Sequence, residues 1–298
     1  MHFPKILKQH DKVAIVATAN KVDLKAIQPG VELLKSWGLT PVIGKTIGTD
    51  HHQMSGTDEE RIKDFQDQLD NPEIKAIWCA RGGYGSVRML DALDFTKFRE
   101  QPKWIIGYSD ISALHAEVNK EGFASIHAEM PALISGKSRE SAESLKKILF
   151  GEKPAYEWPI HDLNKPGKAT GELIGGNLSV IYSLLGSPSV STPDNKILFI
   201  EDLGEYLYHI DRMMQNLKRN GWFENLNGML IGGMTEMKDN EIPFGKSAEE
   251  IIAGTAKEFD FPVGFGFPAG HIKDNRALLL GGKVQLEVDS DYSRLKLL

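Results

Sequence analysis

The chain has 298 residues, with 35 basic and 41 acidic side chains and a formal net charge of −6, a length that calls for two domains or one large α/β unit. Its 41% hydrophobic and 26% charged residues exclude disordered, collagenous and coiled-coil classes. The acidic balance argues against nucleic acid as a partner, and a single cysteine, Cys79, excludes an intrachain disulfide or a cysteine zinc finger.

Lys12 to Thr18 reads as a buried strand. Asp23 can cap a helix running toward Trp37, with Pro29 interrupting the pattern. Thr40 to Gly44 is a second strand, and Thr57 with Glu60 forms a capping box that opens a helix to about Leu69. Ile74 to Ala80 and Lys103 to Gly107 are further strands, followed by a helix from Ser109 to about Lys120 and a strand from Ala124 to Ala128. This alternation predicts a parallel sheet with right-handed crossovers, so residues 1–150 are expected to form an N-terminal α/β domain. Gly151 to Gly171, with Pro154, Pro159 and Pro166, reads as a linker, assigned to 151–170. In 171–298 a smaller C-terminal α/β domain is expected. It would hold a helix over Gly176–Leu185, a strand over Lys196–Ile200, a helix over Tyr208–Asn220 and a strand over Met229–Gly233. A second capping box, Ser247 with Glu250, and a hairpin from Arg276 to Val288 around Gly281-Gly282 complete it. No run approaches 18 apolar residues and the N-terminus lacks the apolar core of a signal peptide, so neither a membrane partner nor export is expected, and the protein reads as cytoplasmic.

Four segments suit chemistry. In Gly107-Tyr108-Ser109-Asp110 an apolar strand ends on glycine and a helix begins. This is the layout of a nucleophile elbow that exposes Ser109 beside the amides of a helix start, although Ser109 or Asp110 as an N-cap is the structural alternative. Cys79-Ala80-Arg81-Gly82-Gly83-Tyr84-Gly85-Ser86 also follows a strand and precedes a helix. It is neither a dinucleotide fingerprint nor a P-loop, and Cys79, inside the apolar run, reads as core. A buried strand ends on Glu201-Asp202 with Glu205 close behind, well placed to orient a histidine. Of nine histidines, His271 alone lies in a loop dense in glycine and proline. His127 ends a strand, His51-His52 lack a third metal ligand nearby, and His115 lies roughly 240° around the helix from Ser109. Serine, carboxylate and histidine in these roles make a triad that needs neither metal nor cofactor.

Ala80-Arg81-Gly82-Gly83-Tyr84-Gly85, Gly107-Tyr108-Ser109-Asp110, Gly175-Gly176-Asn177-Leu178, Ile200-Glu201-Asp202 with Ile210-Asp211-Arg212-Met213, and Gly270-His271 occur in that order. Together they resemble the LD-carboxypeptidases of serine peptidase family S66, which include murein tetrapeptide carboxypeptidases and microcin C immunity peptidases. One departure is Val16-Ala17-Thr18-Ala19-Asn20, where the family more often has a Pro- or Ser-containing turn. The resemblance implies a partly barrel-like C-terminal domain and the triad Ser109, Glu201 and His271. It also implies an oxyanion hole from the backbone amides of Gly83 and Asp110, with Arg81 and Asn177 at the substrate. It chooses Glu201 over Asp202. It further implies a homodimer that removes the terminal D-alanine of a muropeptide during peptidoglycan recycling. The alternatives are cleavage of a peptidyl-nucleotide antibiotic by the same residues, or a non-catalytic module that binds an anionic ligand on the glycine loop.

Overall fold

The computed structural model describes residues 1–190 and 192–298, in two units: Met1–Glu152 with Lys273–Leu280, and Lys153–Ile272 with Gly281–Leu298. The first unit carries β1 (Lys12–Val16), α1 (Leu24–Ser36), β2 (Thr40–Ile43), α2 (Asp58–Asp70), β3 (Ile74–Cys79), α3 (Thr96–Glu100), β4 (Trp104–Gly107), α4 (Ser112–Lys120), β5 (Ser125–His127) and α5 (Arg139–Leu149). The second carries β6 (Ala155–Pro159), β7 (Gly167–Asn177), α6 (Leu178–Leu184), β8 (Lys196–Leu203), α7 (Leu207–Arg219), β9 (Gly228–Thr235), α8 (Ala248–Ala256) and β10 (Val263–Gly264). The chain then returns to the first unit for β11 (Leu278–Leu280) and ends in the second with β12 (Lys283–Val288) and β13 (Tyr292–Leu297).

The first sheet runs β2-β1-β3-β4-β5-β11, parallel throughout except for β11. Its central strands are buried along nearly their whole length, which is why they read as unbroken apolar runs. The chain leaves β1 toward β2 and leaves β3 toward β4, so the loops after β1 and β3 diverge at a topological switch point, where open α/β sheets form ligand crevices. Both capping boxes are present, at Thr57/Glu60 and Ser247/Glu250. Pro29 does not end α1: the helix continues because Ile27, Val31 and Leu34 bury one face.

The second sheet runs β10-β9-β8-β7-β12-β13-β6, parallel from β10 to β7 and antiparallel from β7 to β6. Its two ends curl together. Trp158 Nε1 on β6 donates to the Phe265 carbonyl at 2.8 Å, and Lys165 bridges Val263 of β10. Ile210, Met213, Met214 and Leu217 of α7 and Ile251 and Ile252 of α8 pack with Leu198, Ile200, Met229 and Ile231 in one apolar cluster.

Three segments differ from their sequence reading. The stretch 151–170, read as a linker, holds β6 and the start of β7. Tyr156 and Trp158 alternate inward there, a period of two too short to stand out among prolines. The Arg276–Val288 hairpin does not form. β11 pairs with β5, β12 pairs with β7 and β13, and Gly281-Gly282 is where the chain changes sheets. The expected helix at Ser109 begins as a 3₁₀ turn over Ser109–Ile111, and α4 starts only at Ser112. Among the described residues no helix is long and apolar enough to cross a membrane.

Candidate catalytic site

In the first unit, Ser109 stands two residues beyond the end of β4, after Tyr108, and takes φ +63. A non-glycine residue in that left-handed region costs on the order of 1–3 kcal/mol and persists only where neighbours over-determine it. The neighbours here are buried. Tyr108 packs edge-to-face on His127 at 5.7 Å, with Lys137 Nζ 5.7 Å from its ring centroid. His115 Nε2 donates to the Gly107 carbonyl at 2.9 Å, and burial pushes its pKa down to about 4, so the ring stays neutral while it holds the end of β4. Asp110 Oδ2 accepts the Ser86 N–H at 2.9 Å, and burial holds this carboxyl above the usual carboxylate range. Ser109 therefore sits on a strained turn between a strand and a helix start.

The glycine loop after β3 lies against this turn. A Cβ placed on Gly82 would stand 3.2 Å from Ser109 Cβ and 3.4 Å from its Oγ. Gly83 has φ +115, and a Cβ there would fall 2.2 Å from Asn20 Cγ. Asn20 lies under the loop and accepts the Tyr84 N–H on Oδ1 at 3.4 Å. From the other side the buried Arg61 donates Nη1 to the carbonyls of Thr18 (2.5 Å) and Gly85 (3.0 Å) and pairs with Asp58. Sequence reasoning gave Asn20 and Arg61 no such role. The one signal for Arg61 was its place, with Asp64, Phe65 and Leu69, on the buried stripe of α2. Cys79 is buried and desolvation pushes its thiol up to about 12, so it is no nucleophile.

In the second unit, Glu201 is fully buried on β8. Its Oε2 accepts His271 Nδ1 at 2.7 Å and the His271 N–H at 3.2 Å. With Nδ1–H donated to a carboxylate, Nε2 carries the lone pair, which is the tautomer a general base requires. Gly270 permits this approach. Its φ is +102, and a Cβ there would lie 2.6 Å from Glu201 Oε2.

The other two carboxylates of this segment have their own principal partners. Asp202 accepts from Ser179 N–H (2.8 Å), Leu203 N–H (2.8 Å) and Asn177 Nδ2 (2.9 Å), which ties it to the start of α6. Burial first, then the neighbouring Glu201 charge, pushes Asp202 up to about 6. Glu205 pairs with His209 Nδ1 at 2.6 Å one turn along. Asn177, expected at the substrate, is buried. It caps α6 through Oδ1 to the Val180 N–H at 3.2 Å, and its Nδ2 reaches Glu201 Oε1 at 3.4 Å, so its visible work is to hold the carboxylates. Arg81 is exposed and donates Nη1 to the Lys21 carbonyl at 3.3 Å. Among the described residues no group of three or more His, Cys, Asp or Glu side chains is arranged to hold a metal ion.

The first unit thus presents Ser109 on a strained turn, and the second presents an imidazole bound to a buried carboxylate. Residues 13–128 match the LD-carboxypeptidase N-terminal domain, and residues 170–286 match the LD-carboxypeptidase C-terminal domain. The chain belongs to this family of peptidases, S66. It is 32% identical over 289 residues to the "probable murein peptide carboxypeptidase" of Bacillus subtilis strain 168, covering 95% of this chain and 91% of that protein. It is 29% identical over 302 residues to the microcin C7 self-immunity protein MccF of Escherichia coli, covering 88% of this chain and 85% of the other. The crystal structure of muramoyltetrapeptide carboxypeptidase from Oxalobacter formigenes superposes with a TM-score of 0.87 at 26% identity, over 96% of this chain and 98% of that one.

Proposed function

We propose that this peptidase is a serine LD-carboxypeptidase that removes the terminal D-alanine from murein tetrapeptide, and that it works in the cytoplasm as a homodimer in peptidoglycan recycling. The observation that carries the reading is the buried Glu201–His271 pair at 2.7 Å, with Ser109 on its strained turn as the complementary part. The names of the Bacillus subtilis and Oxalobacter formigenes relatives support the substrate.

In this reaction Ser109 Oγ attacks the carbonyl carbon of the L,D bond while His271 Nε2 takes its proton. Glu201 fixes the ring and stabilises the imidazolium. The backbone N–H groups of Gly83 and Asp110 receive the developing oxyanion, a donor worth about 3 kcal/mol each in such sites. The C–N bond breaks as His271 returns the proton to the leaving D-alanine nitrogen, leaving an acyl ester on Ser109. Water, deprotonated by His271, then hydrolyses the ester and frees the tripeptide and Ser109.

The test is release of D-alanine from purified murein tetrapeptide, followed by mass, with a chelator present throughout. Turnover is expected to survive the chelator and to vanish in Ser109→Ala with the fold retained. Full activity in that variant, or loss on chelation, would overturn the mechanism. The likeness to MccF supplies a second arm: cleavage of an aminoacyl sulfamoyl nucleoside in preference to tetrapeptide would move the substrate assignment and leave the residues in place.

A further inference from the structure

At the switch point between β1 and β3 the first unit holds a cavity of about 410 Å³, within the range of small-molecule sites. Its apolar lining is small in scale, with Val22, Ala26, Ala132 and Leu133, and two exposed cations, Lys21 and Arg81, line it as well. The nucleophile is close at hand, because Arg81 immediately precedes Gly82, whose backbone stands against Ser109.

The charges around the cavity are settled except for one. Lys21 Nζ pairs with Asp50 at 3.1 Å, and Asp23 Oδ1 accepts the Ala26 N–H at 2.7 Å. The first unit contains six arginines. Five pair with a carboxylate: Arg61 and Arg88 with Asp58, Arg99 with Glu121, Arg139 with Glu143 and Arg276 with Asp274. Arg81 is the exception among the described residues. Its guanidinium makes one long bond, to the Lys21 carbonyl, and leaves most of its donor fork facing solvent. A planar five-donor fork is the side chain best matched to a carboxylate.

An enzyme that cleaves only at chain ends must recognise a free terminal carboxylate, and on the reading given above this one does. We infer that Arg81 binds the free α-carboxylate of the residue to be released, with that residue's small side chain against the apolar lining, and that this contact confines the enzyme to chain ends. Hydrogen bonds to a charged group set the scale at about tenfold to a hundredfold in kcat/KM.

The test compares murein tetrapeptide with its C-terminal amide, in wild type, Arg81→Gln and Arg81→Lys. Wild type is expected to favour the free acid by about tenfold to a hundredfold. Arg81→Gln should lose most of that preference, chiefly through a raised KM, and Arg81→Lys should regain part of it. Thermal melting of both variants checks that the exposed site has been changed without unfolding. A preference that survives Arg81→Gln would overturn the inference and leave the carboxypeptidase reading standing, whereas wild type cutting amide and acid alike would overturn both. If wild type cuts neither peptide, the carboxypeptidase reading fails first and the inference with it.

Discussion

Gly270→Ala tests the approach of Glu201 to His271 without touching either side chain. The new methyl carbon would lie 2.6 Å from Glu201 Oε2, 2.7 Å from its Cβ and 2.8 Å from its Cγ, where ordinary contact begins at 3.4 Å. Either the 270 backbone or the carboxylate must therefore retreat by most of an ångström. The φ of +102 adds strain of roughly 1–2 kcal/mol for an L side chain. A displacement of about 1 Å in a reacting array costs about a hundredfold in rate, and full loss of the carboxylate's control over the imidazole tautomer costs about ten-thousandfold in serine triads. We expect kcat to fall between those bounds, KM to change little, and melting to move down by a few degrees. The assay is D-alanine release at saturating substrate, run beside Glu201→Gln and the double variant. If the mechanism is right, the double variant is scarcely slower than Glu201→Gln alone, because both changes disable one contact. Near-wild-type kcat in Gly270→Ala, or fully additive losses, would refute the argument that Gly270 is there to admit Glu201.

Ser109→Gly should abolish turnover yet raise the melting temperature, since glycine accepts φ +63 without the strain of about 1 kcal/mol or more that serine bears; an unchanged or lower melting point would count against stored strain. Gly83→Ala would drive a methyl carbon to within 2.2 Å of Asn20 Cγ, moving the proposed oxyanion donor. Its kcat should fall about 10²–10³-fold, with part restored by a shortened partner in Gly83→Ala/Asn20→Ala, and a kcat near wild type in the single variant would remove Gly83 from the oxyanion role. Asp202 has its carboxyl raised from an ordinary 3.8 to about 6, so the folded state holds its proton more tightly than the unfolded chain does. Its contribution is complete below the unfolded value and is lost as pH rises through about 6, a change on the order of 3 kcal/mol. Asp202→Asn should therefore flatten the dependence of melting temperature on pH between about 4 and 7, and parallel curves for variant and wild type would contradict this assignment.

The elements that present the chemistry were legible for a local reason. β3, β4 and β8 are buried in parallel pairings, so their sequences are continuous apolar runs. The residue where such a run stops marks the carboxyl end of the strand. The N-terminal caps at Thr57 and Ser247 were equally local, three residues from their glutamates. What stayed hidden was partnership at long range. Gly281-Gly282 has the composition of a hairpin turn, and no nearby residue records that the strand before it pairs with β5 and the strand after it with β7. Asn20 meets Gly83 and Arg61 meets Gly85 across long stretches of chain, and nothing in the local sequence of either pair announces its partner. The choice between Glu201 and Asp202 has the same origin. Adjacent residues on a strand point to opposite faces, so local sequence offers two carboxylates; the resemblance singled out Glu201, and the fold supplies the physical reason, since Glu201 is the one bonded to His271. The β8–β9 register shifts between Ile200 and Asp202, which is where Glu201 sits.

The backbone explains why this site had to violate local rules. Ser109 occupies a left-handed conformation that serine ordinarily avoids, Gly83 leaves room for Asn20, and Gly270 leaves room for Glu201. Beside each departure stands a buried polar residue whose side chain does no chemistry in the proposed mechanism: Asp110 Oδ2 on the Ser86 N–H, Arg61 on the Gly85 carbonyl, and Asn177 on both Glu201 and Asp202. Such neighbours are costly to bury unless fully bonded, and their replacement should therefore damage rate and stability together. Ser109→Gly is predicted to separate the two, because it removes the nucleophile and the strain in one step. That contrast distinguishes a strained functional residue from the residues that keep it strained.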